Sequence, residues 1–208
     1  MTVELGELVV GDEPESWEAA GFAVDADGTS RVGQVRIRLA GRSAGKRILS
    51  WTLRGAPADT ASVDGLVTSV AGAGACEPGD HPNGVLSIDH VVALTPDTAR
   101  TIAALGSIGV EVRRSREVDE SQYGFAAVQT FFRLGEPILE LLGPVDPSGD
   151  GPAGFFGLAY TVADLDALPD RYGEGLGRVK DAVQPGRRIA TLRHKQYDMS
   201  VATAFMSP

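Results

Sequence analysis

The side chain in this 208-residue chain that most needs a chemical explanation is His90, one of its three histidines. It lies in Ser87-Ile88-Asp89-His90-Val91-Val92-Ala93-Leu94, a stretch of strand composition. Alternation puts Ile88, His90, Val92 and Leu94 on one face and Asp89, Val91 and Ala93 on the other. A ring with two nitrogens on an apolar strand face needs a partner: a metal ion, a ligand, another side chain or water. His81, by contrast, sits in the turn-prone Pro78-Gly79-Asp80-His81-Pro82-Asn83-Gly84 and reads as a surface or turn-bonding histidine. Arg187, Arg188, Arg193, His194 and Lys195 surround the turn Gln184-Pro185-Gly186. Turned inward, an arginine there, with Arg188 the candidate, would fork onto a carboxylate or phosphate of a ligand; turned outward it is solvated. Arg113, Arg114 and Arg116 read as a solvated face. Phe156, Leu158 and Tyr160 share a strand face, and their rings either wall a cleft or fill a core. There is no glycine-rich phosphate loop, nucleophile elbow or HExxH motif, which removes the nucleotide-hydrolase, serine-hydrolase and zincin readings.

Something must position these groups, and the pattern around them recurs. After the strand at 87–94, Thr95-Pro96-Asp97 reads as a helix start, with threonine as cap, proline in the first turn and an acidic residue at the positive end of the dipole. A helix follows with Ala99, Ile102, Ala103 and Leu105 at helical spacing, then a strand at 110–114 and a hairpin of 129–134 with 138–142. Beyond a Pro/Gly/Asp linker at 143–154 come a strand at 156–162, a helix at 163–173 interrupted by Pro169, and strands at 187–193 and 200–206. The N-terminal part has the same order: a strand at 3–10, a short helix at 13–20, one alternating strand at 31–39, and a strand at 46–53 forming a hairpin with it. The chain is thus expected to be α+β, built from βαβββ units starting near Leu5, Ile88 and Phe155, units of the kind that pair to share a core. This divides it into an N-terminal module at 1–54, a connector rich in Ala, Gly, Ser, Pro and Asp at 55–84 with a short strand at 66–70, and a two-module domain at 85–208.

A formal net charge of −9 argues against nucleic-acid or anionic-membrane partners, which need a basic face. Cys76 is the only cysteine, so neither an intrachain disulfide nor a cysteine-based zinc site is available. No apolar run approaches membrane-spanning length, and the first residues show no basic or apolar leader, so a cytoplasmic protein is expected. Two modules pair within residues 85–208, leaving the first without a partner. Val35, Ile37 and Leu39 alternate on one strand, and Trp51 and Leu53 on the next. A homodimer through that module is expected unless the connector or the back of the main domain covers the face.

Ile88-Asp89-His90-Val91-Val92 at one module start, Ile138-Leu139-Glu140-Leu141-Leu142 at its end, and Gly157-Leu158-Ala159-Tyr160-Thr161-Val162-Ala163-Asp164-Leu165-Asp166 at the next start resemble the vicinal oxygen chelate superfamily of glyoxalases, bleomycin-resistance proteins and extradiol dioxygenases. The resemblance implies two modules curved around a cleft, plus one extra N-terminal module. It also implies a divalent metal (Fe, Mn, Ni or Zn) held by first-strand and last-strand residues. Carried over position by position, His90 and Glu140 are ligands in the first module, while Gly157 and Ala204 occupy the ligand positions of the second. Glu7 falls where His90 does, and Ser50 where Glu140 does. Two side-chain ligands would hold an ion only weakly. The readings left open are a metal-free cleft binding a small organic molecule, with His90, Glu140, Tyr160 and Arg188 as contacts; a metal-dependent lyase, isomerase or dioxygenase; and a scaffold in which His90 and Glu140 are a buried polar pair.

Overall fold

The computed structural model describes residues 2–72, 74, 76–118, 124 and 126–208. Strands dominate, gathered into two sheets. The first contains β1 (Glu4–Val10), β2 (Thr29–Val32), β3 (Val35–Leu39), β4 (Ile48–Arg54), β5 (Ser62–Val63) and β6 (Leu66–Ala71), in the order β2-β3-β1-β4-β6-β5. The second contains β7 (Val85–Leu94), β8 (Val112–Val118), β9 (Ala127–Arg133), β10 (Ile138–Pro144), β11 (Gly154–Val162), β12 (Lys180–Asp181), β13 (Arg188–Leu192) and β14 (Ala202–Met206). Their order is β12-β13-β14-β11-β7-β10-β9-β8. Helices α1 (Pro14–Ala19), α2 (Thr98–Ser107) and α3 (Leu168–Tyr172) connect first strands to the rest of their units.

One rule generates the second sheet. In each half the first strand lies parallel to the last, β7 to β10 and β11 to β14, and the two first strands meet antiparallel at the centre. A parallel pair requires a crossover, and the helices supply it. The first sheet has the same centre: β1 runs parallel to β3, β4 runs parallel to β6, and β1 and β4 are antiparallel. It is therefore two shortened halves, not one module, and the strands at 62–71 in the expected connector complete it. β4 is then a first strand, so the alignment of Ser50 with Glu140 does not hold.

Several local expectations change for identifiable reasons. The alternating run at 31–39 folds back as the β2–β3 hairpin, because Gly33 adopts φ 57° between Val32 and Val35, which face each other. The strand at 46–53 does not pair with it, since β1 lies between β3 and β4. Asp97, not Thr95, caps α2 by accepting from the Arg100 N–H at 3.0 Å, and Thr95 Oγ1 accepts from the Asp97 N–H. Pro169 falls in the first turn of α3, where its missing N–H costs nothing, so it begins that helix and does not interrupt it.

The apolar faces of the two sheets pack together in one continuous core. Phe22 meets Tyr160 at 5.1 Å between ring centroids and Trp51 meets Phe155 at 5.2 Å. Val35, Ile37, Trp51 and Leu53 are fully buried within the single chain, so the uncovered face that pointed to a homodimer is absent. The contact is also polar: fully buried Asp12 accepts from Trp17 Nε1 at 3.2 Å and from the Ser200 N–H at 2.9 Å. No helix is long and apolar enough to cross a membrane among the described residues.

Candidate functional site

A cleft of about 940 Å³ opens along the second sheet. β8 and β12, the two edges of the strand order, both line it, so the sheet curls until its edges face each other. Phe131, Ile138, Ile189 and Met206 contribute apolar surface from both halves, and His90 and Glu140 reach it from β7 and β10.

A break in the alternation of β7 sets the polar centre. Against β11, His90 faces Ala159 and Ile88 faces Tyr160, which leaves Asp89 as an extra residue. Such a bulge shifts the side-chain phase of the strand. Ile88 and Val91 both go into the core, and Asp89 joins His90 on the cleft side instead of opposing it. Asp89 Oδ1 lies 2.8 Å from His90 Nδ1. Its other oxygen accepts from Arg187 Nη1 at 2.6 Å and from Thr161 Oγ1 at 3.2 Å. Arg187 is fixed in turn by the Ser207 carbonyl, at 2.8 Å from Nε. On the far side of the ring, His90 Nε2 is 3.2 Å from Glu140 Oε2. Glu140 Oε1 accepts from Gln129 Nε2 at 2.5 Å, and Gln129 Oε1 accepts from Arg116 Nε at 2.6 Å. The result is one row of side chains across the sheet: Arg187, Asp89, His90, Glu140, Gln129, Arg116.

The row fixes protonation at its core. Burial alone would push the Asp89 carboxyl upward, but hydrogen bonds from His90 and Arg187 outweigh it and bring the value down to about 2. Asp89 is therefore a carboxylate at neutral pH, His90 carries its proton on Nδ1, and Nε2 is the atom presented to Glu140 and the cleft.

The donor set does not fit a complete metal site. His90 and Glu140 are adjacent and correctly typed, but no group of three or more His, Cys, Asp or Glu side chains is placed to hold an ion among the described residues. The second-module position is closed sterically as well as chemically. A Cβ on Gly157 would collide with the backbone oxygen of Ala202 and stand 2.9 Å from its Cβ, so no ligating side chain fits there without moving β14. Ala204 offers no donor.

Of the other expected residues, Tyr160 is fully buried between the sheets, against Phe22 and Phe205, and does not wall the cleft. Arg188 forks onto Asp166 with both contacts at 2.7 Å, on the exterior and away from the cleft lining. Glu7 lies on the first sheet between Arg36 at 3.5 Å and Arg38 at 3.6 Å, and it does not reach His90. His81 is buried, accepting from the Ala23 N–H at Nδ1 and donating from Nε2 to the Arg31 carbonyl, both at 3.0 Å, which pins the segment before β7 to the first sheet. The residues missed by pattern are Asp89 and Gln129, while Arg187, grouped with Arg188 at the 184–186 turn, is the arginine that turns inward, onto Asp89; also missed are the arginines of β8. The last had a signal, since Arg114 and Arg116 alternate on one strand, but nothing in the pattern shows that this strand edges a cleft.

The architecture is a glyoxalase-like fold, with its strands doubled into two sheets. Over nearly its whole length it matches solved structures. A triple mutant of 4-hydroxymandelate synthase from Streptomyces coelicolor superposes with a TM-score of 0.64 at 14% identity, covering 99% of this chain and 92% of that one. A xylose isomerase-like TIM barrel/4-hydroxyphenylpyruvate dioxygenase fusion protein gives 0.60 at 12% identity, covering 98% of this chain and 49% of that one. Methylmalonyl-CoA epimerase from Mycobacterium tuberculosis gives 0.48 at 19% identity, over 61% of this chain and 90% of its own. No family model and no curated protein matches the sequence. At these identities the likeness is one of fold, and chemistry has to be argued from the site.

Proposed function

We propose that this chain binds a small organic molecule in the cleft of its second sheet, without a resident metal, inside a reducing compartment such as the cytoplasm. The observation that carries the reading is the cleft itself. Its volume of about 940 Å³ suits a drug-sized ligand, its surface combines apolar side chains with a few convergent polar groups, and the polar centre is held rigidly by Asp89 and Gln129. His90 and Glu140 then act as the donor and acceptor pair that orients the ligand. Two donors without a second-module partner favour this over the metal-dependent reading, as catalytic sites normally supply three. The free Cys76 suits a reducing environment.

The metal-dependent lyase, isomerase or dioxygenase reading has one observation in its favour. A carboxylate on Nδ1, leaving Nε2 directed at the site, is the support that metal-ligating histidines usually have. Titration with N-phenyl-naphthylamine, a neutral apolar fluorophore, tests the cleft. One saturable site is expected in chelator-treated protein, with binding weakened about ten-fold by Phe131→Ala, which removes a ring from the lining. Binding that requires added metal, or that ignores Phe131→Ala, would contradict the proposal.

A further inference from the structure

The bulge that turns Asp89 towards His90 has a counterpart at the rim of the cleft. Against β9, Val112 faces Phe132 and Arg114 faces Phe131, so Arg113 is an extra residue in β8. Its side chain is thereby brought to the cleft beside Arg114, where strict alternation would have turned it away, and both line the opening. Arg116 follows by alternation and is engaged with Gln129. Arg113 and Arg114 have no such engagement: neither is ion-paired to a carboxylate among the described residues. Lys180, on the facing edge strand, is in the same position. Three exposed cations that form no salt bridge among the described residues thus line one opening, which Asp181 also lines beside Lys180, in a chain of formal net charge −9. Neighbouring guanidiniums repel, and a bulge that places two side by side makes sense when an anion sits between them.

We propose that the molecule bound in this cleft is an organic phosphate, with its phosphate at the β8 rim between Arg113 and Arg114 and its carbon skeleton running inward over Phe131 towards His90. The inference rests on the ligand-binding reading above and adds the charge class of the ligand. A carboxylate brings one charge and two oxygens, enough for one guanidinium fork. A phosphate monoester brings nearly two charges and three strong acceptor oxygens, which match two forks and an ammonium.

Displacement of N-phenyl-naphthylamine by α-naphthyl phosphate and by α-naphthol, which differ only in the phosphate, tests it. The phosphate is expected to bind at least about ten-fold more tightly than the alcohol, an advantage that shrinks as salt is raised. In Arg113→Gln/Arg114→Gln, whose altered side chains are exposed and should not disturb folding, α-naphthol should bind as before and the advantage should disappear. Equal affinities in the parent protein, or an advantage that survives the double substitution, would overturn the phosphate clamp while leaving the cleft reading intact. Absence of saturable N-phenyl-naphthylamine binding to the parent would overturn both.

Discussion

Protonating Asp89 removes the acceptor that holds both His90 Nδ1 and Arg187, so the row of side chains comes apart from its middle. The carboxyl titrates near 2 in the folded chain against 3.8 ordinarily. Because the folded value is the lower one, its contribution is fully present above about pH 4 and is lost as pH falls towards 2. The shift corresponds to roughly 2 kcal/mol. Asp89→Asn should lose about that much stability at pH 7 in urea melts and show a flatter acid limb between pH 4 and 2. An acid limb identical to the parent's would show that another group carries it. His81 acts closer to neutrality. Burial lowers its pKa below 6.5, so the unfolded chain takes up that proton first and stability declines as pH drops below 6.5. An NMR titration of its ring should give a midpoint under 6.5; a midpoint at or above that value would contradict the buried neutral state. His90 was legible in the sequence because a polar ring among apolar residues demands a partner. Asp89 was not, because alternation assumes an unbroken period of two, and one inserted residue reverses the faces on either side of it.

At the level of strands, the βαβββ order can be read from the chain, but pairing order cannot. Whether β4 lies parallel or antiparallel to β1 depends on which first strands meet at the sheet centre, and those partners are distant in sequence. That single fact turned an apparent lone module with a connector into a complete six-stranded sheet. The same close pairing limits the site. Gly157 sits where β11 approaches β14 too tightly for any side chain, whereas a Cβ on Gly154, in the same strand, meets nothing within 4 Å. Gly157→Ala should therefore cost about 1–3 kcal/mol by overpacking, and Gly154→Ala should be close to neutral in chemical denaturation. Equal effects at both glycines would mean that β14 yields easily, and that the closed ligand position is not a fixed property of the fold.

Across the whole molecule, two sheets cover one another's apolar faces, and the acidic surface is interrupted by a cationic opening. Burial of Val35, Ile37, Trp51 and Leu53 within one chain removes the hydrophobic drive for association through the first sheet. Light scattering at micromolar concentration should give the chain mass of 21.8 kDa. Twice that mass would mean that another surface is self-complementary. Composition made the absence of a broad basic face legible, yet net charge says nothing about local clustering, and the five cations around the cleft (Arg113, Arg114, Arg116, Arg133 and Lys180) emerge only when the sheet curls. The central claim, a ligand-binding cleft that needs no metal, is tested most directly by elemental analysis of purified protein after dialysis against a mild chelator, with His90→Ala alongside. Fe, Mn, Ni and Zn are expected well below one ion per chain in both proteins, with N-phenyl-naphthylamine still bound by the parent. A stoichiometric ion that survives dialysis in the parent and is missing from His90→Ala would contradict it.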